Sequence, residues 1–291
     1  MTEQNLRRII WLASYPKSGN TWVRSLLAHY FMPEGKAPDI NNLRQFTTGD
    51  GRLDFFAAAA GGEYAANSFD DWLRVRPRAL AMIAGSKRNK HFVKTHCQLC
   101  SVKSVPLIPP AVTAAAVYIL RNPFDVALSY ARHMGTDVDT AIERMGRRDN
   151  VMGTDRHVYD VLGRWDEHIN SWSEAKGLRV HMLRYEDLTA TPDSTVRQLL
   201  SEFLGVRVDE HKLKYAIENT RFEALRQQEA ELGFAERPEG MTQFFAKGQA
   251  GAWRDEMTAA QVARVRELFL PALERWYPEL LDETDQFAAE V

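Results

Sequence analysis

The sequence predicts an α/β fold, a single domain with a central, mostly parallel β-sheet flanked by helices. Two observations carry this. Short β-branched and aromatic runs recur at residues 7–15, 91–96, 114–122 and 178–188, each bounded by turn residues. Between them, apolar residues recur at three- and four-residue steps, and strands that alternate with helices pair as parallel neighbours covered on both faces. With 291 residues the chain can bury a large core, and nothing demands a second domain.

The elements follow in order. RRIIWLASY, 7–15, reads as a buried strand closed by Pro16 and Gly19. From Thr21, residues Trp22, Val23, Leu26, Leu27 and Tyr30 keep helical spacing until Pro33 ends the pattern. HFVKTH, 91–96, is a second strand and AAAVYILRN, 114–122, a third. PFDVALSYARH then opens a helix, with Pro123 at its first position and Asp125 in the first turn, where negative charge is favoured.

HVYDVLGRWDEHINSWSEA reads as a helix whose stripe of Val158, Leu162, Trp165, Ile169 and Trp172 faces the core. LRVHMLRYEDL, 178–188, is the fourth strand. TPDSTVRQLLSEFLGV and VDEHKLKYAIENT are two further helices with Thr191 and Asp209 as cap signals. A last amphipathic helix runs from Thr258 to Trp276. Residues 34–88 and 134–157 lack a clear strand and read as insertions or loops over a site.

The formal net charge of -2 argues against a surface that binds polyanions, so nucleic acid is not an expected partner. No apolar run is long enough for a signal peptide or a membrane span, and a cytoplasmic protein is expected. Cys97 and Cys100 have C-x-x-C spacing. Two thiols cannot close a structural zinc site and His96 would add only a third ligand, so they read as incidental thiols and no metal is expected.

The stretch SYPKSGNTWVR, 14–24, joins the first strand to the first helix through a glycine turn. Free N–H groups and the helix dipole make such a junction an anion site. Ser18, Gly19, Asn20 and Thr21 can aim amides and hydroxyls at one phosphate, and Lys17 adds a positive charge. The triphosphate motif G-x-x-x-x-G-K-[ST] is absent, and with it the hydroxyl that holds magnesium, which counts against an ATPase or kinase.

SYPKSGNTW resembles the 5′-phosphosulfate loop of the sulfotransferases that use 3′-phosphoadenosine 5′-phosphosulfate (PAPS). ILRNPFDVALSYARH, 119–133, resembles that family's 3′-phosphate motif, with Arg121 at the strand end and Ser129 on the following helix. KTH resembles the motif of the catalytic histidine, giving His96 as base with Lys94 beside it. RYEDL puts Tyr185 at an adenine-contacting position, NTRF puts Thr220 and Phe222 where the family contacts the base, and Trp22 matches an aromatic that stacks on adenine.

FFAKGQAGAW, 244–253, resembles the R-K-G-x-x-G-x-W loop, keeping Lys247 and Gly248 but placing Ala246 where the family has an arginine for the 3′-phosphate. Lys247, the Gly248 amide and Arg254 are the candidates to compensate. Beyond Trp253, residues Arg254, Ala259 and Ala263 replace the lysine, valine and glutamate of the family's dimerisation motif, so a homodimer is not assigned that interface.

The resemblance reaches from residue 8 to residue 276. It implies a sulfotransferase fold and transfer of a sulfuryl group from PAPS to a hydroxyl, less often an amine, of a small organic acceptor, leaving adenosine 3′,5′-bisphosphate (PAP). It further implies that Lys17 stabilises charge on the bridging oxygen, that Lys94 positions His96 or the donor, and that no metal takes part. The competing readings are a small-molecule kinase-like phosphotransferase and a nucleotide-binding protein without catalysis, the latter motivated by Ala246. Residues 34–88, 134–157 and 225–245 are expected to cover the acceptor, with Phe55, Phe56, Tyr64, Trp72, Phe234 and Phe244 either lining its pocket or packing the cap.

Overall fold

Nine strands and thirteen α-helices are described in a computed structural model that covers residues 7–62, 64, 68–87, 89–154, 157–237, 243–245, 248 and 250–289. The strands are β1 (Ile9–Ser14), β2 (Thr48–Gly49), β3 (His91–Thr95), β4 (Ser101–Val102), β5 (Val105–Pro106), β6 (Thr113–Leu120), β7 (Val151–Thr154), β8 (His157–Val161) and β9 (Val180–Arg184). The helices are α1 (Asn20–Phe31), α2 (Leu53–Ala60), α3 (Phe69–Gly85), α4 (Pro123–Met134), α5 (Val138–Met145), α6 (Trp165–Ser173), α7 (Tyr185–Ala190), α8 (Pro192–Gln198), α9 (Glu210–Asn219), α10 (Phe222–Leu232), α11 (Trp253–Glu256), α12 (Ala259–Trp276) and α13 (Leu281–Ala289).

The central sheet has the order β2-β3-β1-β6-β9, and every pair in it is parallel. Its strands are hydrophobic on both faces because helices cover both. Trp11, Ala13, Val93, Ala116, Tyr118 and Leu120 point into the larger core with Trp72, Trp165 and Trp172. Leu12, Phe92, Val117, Ile119 and Leu183 point the other way, against Val23, Leu26 and Leu27 of α1 and Leu213 of α9. Successive side chains alternate between the two cores, as a pleat requires, and β1, β3 and β6 are therefore buried nearly throughout.

Register aligns the carboxyl ends that matter for function. Ala13 stands beside Thr95, Ser14 beside Ile119, and Leu120 beside Arg184. Residues that follow β3, β1, β6 and β9 therefore emerge side by side at one edge, where ligands of open parallel sheets bind.

Four parts differ from the sequence reading, one of them residues 134–157, which hold α5 and the strand β7 and are not a loop. The stripe through Val158 and Leu162 is not helical, because His157–Val161 pairs antiparallel with Val151–Thr154 and the helix begins only at Trp165. Residues 34–88 are not a loop insertion. They contribute the edge strand β2, two residues long and too short for periodicity to reveal, and α3, whose Trp72, Leu80 and Ile83 are buried in the core. Thr191 does not cap α8; its hydroxyl donates back to the Asp187 carbonyl at 3.2 Å. Asp209 does cap α9, accepting from the Lys212 amide at 3.1 Å. No described helix is long and apolar enough to cross a membrane.

Candidate active site

The β1–α1 loop, the end of β3, the β6–α4 junction and the start of α7 enclose a cavity of about 710 Å³. Its wall includes Lys17, Gly19, Asn20, Thr21, Trp22, Lys94, His96, Arg121, Ser129, Tyr185, Thr220, Phe222 and Gly248, so most residues singled out in the sequence meet in one place. Ser18 is buried beneath the turn and is not part of the wall. Lys247 and Ala246 lie outside the described residues.

The loop is built under backbone strain. Lys17 has φ 70°, a left-handed conformation that costs a non-glycine residue energy, and Gly19 follows with φ 99°. A side chain at Gly19 would place its Cβ 2.6 Å from Tyr185 Cδ2, so this glycine also lets the tyrosine approach. Asn20 turns inward, donating to the Leu12 carbonyl at 2.9 Å and to Ser14 Oγ at 3.2 Å, which ties α1 to β1. No side chain caps α1, leaving its first N–H groups for a ligand.

Lys17 Nζ is buried and has no hydrogen-bond partner among the described residues. Burial first, then the positive charges of Lys94 and Arg121, lower its pKa to about 7. The Phe244 ring lies over it, 3.6 Å from nitrogen to centroid, a contact that favours the charged form against that burial. Glu229 of α10 holds this ring in place by accepting from the Phe244 and Phe245 amides at 2.7 and 2.8 Å.

Tyr185 is the centre of the opposite wall. Arg121 stacks over its ring at 4.4 Å and donates to the Lys17 carbonyl at 3.2 Å. Trp22 meets the same ring edge-on at 5.4 Å, and the phenol donates to the Gly248 carbonyl at 3.2 Å. Gly248 has φ 61°, and any side chain there would collide with Phe222. Thr220 is fully buried and donates to the Ala216 carbonyl at 2.7 Å, so its hydroxyl retains only acceptor capacity. Asp125, read from sequence as a dipole-facing residue, clamps the 251–253 segment by accepting from the Gly251 and Trp253 amides at 2.7 and 3.2 Å. Arg254 does not reach the cavity; it pairs with Glu283.

His96 sits at the β3 end of the cavity. Its Nδ1 is 2.8 Å from the Ser14 carbonyl oxygen, which can only accept, so Nδ1 carries the hydrogen and Nε2 keeps a lone pair. Burial, then Lys94, push the imidazole well below its usual pKa, with the Ser14 bond opposing. The backbone is pinned too: His168 Nε2 donates to the His96 carbonyl at 3.0 Å, and Tyr118 hydroxyl donates to His168 Nδ1 at 2.7 Å.

Lys94 faces Glu236 at 3.7 Å, and Glu236 also accepts from Arg24 at 3.1 Å. Burial would raise that carboxyl, but Lys94 and Arg24 outweigh it and hold it at about 2. Between Lys94 and His96, Thr95 donates to Asp50 Oδ2 at 2.7 Å, and the fully buried Arg76 donates to the same oxygen at 2.6 Å. The Cys97 amide closes this chain on Thr95 Oγ1 at 3.1 Å. Asp50, Cys97 and Asp160 bring ligand atoms within 4.8 Å of one another, but Arg76 already supplies the positive charge there, and the three read as a polar network.

Glu236, His133 and Asp160 also line the cavity, and the motifs did not mark them. They come from the segment after α10, the end of α4 and β8, which converge only through tertiary structure. Conversely, Phe56 and Trp72 are buried in the larger core and Phe55 and Tyr64 pack against it, while Phe234 joins a separate small cluster. Of the six aromatics proposed for the acceptor, Phe244 alone reaches the cavity.

Residues 7–277 match the family model described as the sulfotransferase domain. Sulfotransferase 1C2 of Homo sapiens is 23% identical over 278 residues, covering 90% of this chain and 82% of that protein. Sulfotransferase 1A1 of Bos taurus is 24% identical over 265 residues, covering 86% and 78%. Among solved structures, mouse sulfotransferase SULT7A1 complexed with PAP matches with TM-score 0.60 and 17% identity over 100% of this chain and 95% of that one. Retinol dehydratase in a complex with retinol and PAP matches with TM-score 0.62 and 22% identity over 92% and 81%.

Proposed function

The chain belongs to the sulfotransferase domain family, and from that premise we propose that it moves the sulfuryl group of PAPS to a hydroxyl of a small organic acceptor, leaving PAP. The observation that carries this is the pairing, in one cavity, of a buried Lys17 amine that has no hydrogen-bond partner among the described residues and a neutral His96 imidazole whose Nε2 keeps its lone pair.

The residues fit such a donor. The first turn of α1 and Lys17 suit a 5′-phosphate and its sulfate, Arg121 and Ser129 suit a second phosphate, and Tyr185, Trp22, Thr220 and Phe222 suit the base. PAPS supplies a phosphate–sulfate anhydride whose sulfur–oxygen bond breaks as the acceptor oxygen bonds to sulfur. His96 Nε2 takes the acceptor proton, and its Nδ1–H keeps the ring oriented on the Ser14 carbonyl. Lys17 faces the charge left on the bridging oxygen, which makes it an electrostatic stabiliser of the leaving group. Lys94, held by Glu236, orients the β3 end and lowers the imidazole's affinity for a proton before reaction.

Two free cysteines fit residence in the cytoplasm. The test is transfer of radiolabelled sulfur from PAPS to a panel of small hydroxyl compounds, with calorimetry comparing PAP and ATP. No transfer by a folded, PAP-binding protein would leave a nucleotide-binding protein without this activity. Tighter binding of ATP than of PAP would favour a phosphotransferase.

A further inference from the structure

Asp160 is a charged group that the reaction above leaves unused. It stands on β8 opposite Met152 of β7, and both line the cavity together with Lys94 and His96. The other carboxylates of the wall are committed or remote. Asp125 receives the Gly251 and Trp253 amides, and Glu236 is shared between Arg24 and Lys94. Glu223 is exposed on α10 beside Phe222, at the end assigned to the base. Behind Asp160, Asp50 is neutralised by Arg76. Among the described residues, Asp160 accepts only from the Cys97 thiol at 3.8 Å, and no cation lies within ion-pair distance of it.

We infer that the acceptor carries a cationic group, an ammonium or guanidinium, beside the hydroxyl that is sulfated, and that Asp160 is the specificity residue that receives it. This rests on the sulfotransferase reading above. A half-buried carboxylate loses water when an acceptor fills the cavity. A neutral acceptor leaves that loss uncompensated, whereas an ammonium restores both charge and a strong hydrogen bond. The acceptor side is polar, with His96, His133 and Asp160 and only Phe244 from the aromatics expected there, and the charge of Lys94 beside them is already met by Glu236. Burial, then Asp50, raise the Asp160 carboxyl to about 7 against the pull of Lys94 and Arg76. Its charged fraction grows through neutrality, so the preference for a cation should grow from pH 6 to pH 8.

The experiment uses the full chain saturated with PAP and three matched pairs: tyramine with 4-ethylphenol, 6-aminohexanol with hexanol, and glucosamine with glucose. Binding of each is measured by calorimetry for the wild type and for Asp160→Asn and Asp160→Ser, with PAP affinity recorded separately. At least one ammonium compound should bind about tenfold or more tightly than its neutral partner, the order of one charge-assisted hydrogen bond, and the variants should lose that margin. No preference in any pair, or a preference that survives both substitutions in variants with normal PAP affinity, overturns the inference. If neither variant folds, the wild-type comparison still tests the cationic acceptor, and a preference that fails to grow from pH 6 to pH 8 overturns the assignment to Asp160. Loss of PAP binding in the wild type would instead strike the donor reading, so the two failures are distinct.

Discussion

Lys17 Nζ lies 3.6 Å from the centroid of the Phe244 ring and has no hydrogen-bond partner among the described residues. Its pKa, lowered to about 7 by burial and then by Lys94 and Arg121, must rise when a polyanion arrives beside it. At pH 8 most free molecules hold Lys17 neutral, so PAP binding takes up close to one proton there. At pH 6 Lys17 is already charged and contributes no uptake. Calorimetry at both pH values in buffers of different ionisation heat measures this, with Lys17→Met as control. Equal uptake by wild type and variant would assign the proton elsewhere. The same variant should lose about 10²–10³ in kcat, the scale for removing one stabiliser of developing charge.

His96→Ala should lower kcat by about 10²–10⁴-fold while leaving the affinity for PAP near that of the wild type, because the imidazole serves the acceptor. The pH dependence is more specific. Burial and Lys94 keep His96 neutral well below pH 6.5, so kcat should show no acid limb near that value. In kcat/KM, which reports the free enzyme, the rate should fall as pH rises through about 7, where free Lys17 loses its charge. Full sulfation by folded His96→Ala would exclude the histidine as base.

Arg76→Met should destabilise the protein by about 3–5 kcal/mol in urea unfolding, because it strands the Asp50 carboxylate in the core. The double variant Arg76→Met with Asp50→Asn should recover much of this loss, since no unpaired charge remains. Asp50 also accepts from Thr95, between Lys94 and His96, so the single variant should lower kcat as well. A stability loss no smaller in the double variant would show that packing, not charge, is responsible.

The parts of this site written in contiguous motifs are legible in the sequence. Lys17, Arg121 and Tyr185 each stand within three residues of the end of a strand of the central sheet, and a parallel sheet brings such residues to one edge. What was not legible depends on pairing at a distance. Asp160 faces the cavity only because β8 pairs with β7, and Val158 and Leu162 happen to repeat at a helical step while lying on strand and loop. β2 has two residues, so its place beside β3 is set by its partner. Aromatic content misled in the other direction, since Trp72 and Phe56 are large enough that core burial alone accounts for them.

Arg121 and Ser129 provide the sharpest test of what the cavity distinguishes. Both line the cavity from the β6–α4 unit, and Arg121 is held by the Lys17 carbonyl and the Tyr185 ring. If they receive a 3′-phosphate, Arg121→Ala should weaken PAP binding by about 10–100-fold, the cost of charge-assisted hydrogen bonds, and Ser129→Ala by less. AMP, which lacks that phosphate, should bind both variants nearly as well as the wild type. Equal losses for PAP and AMP would mean that Arg121 shapes the site through Tyr185 and does not read the phosphate. Ala246 gives the converse experiment. Where the sequence pattern of the family has arginine, Ala246→Arg should restore a bidentate partner and raise the ratio of PAP to AMP affinity, because a planar guanidinium matches phosphate geometry as a lone lysine does not.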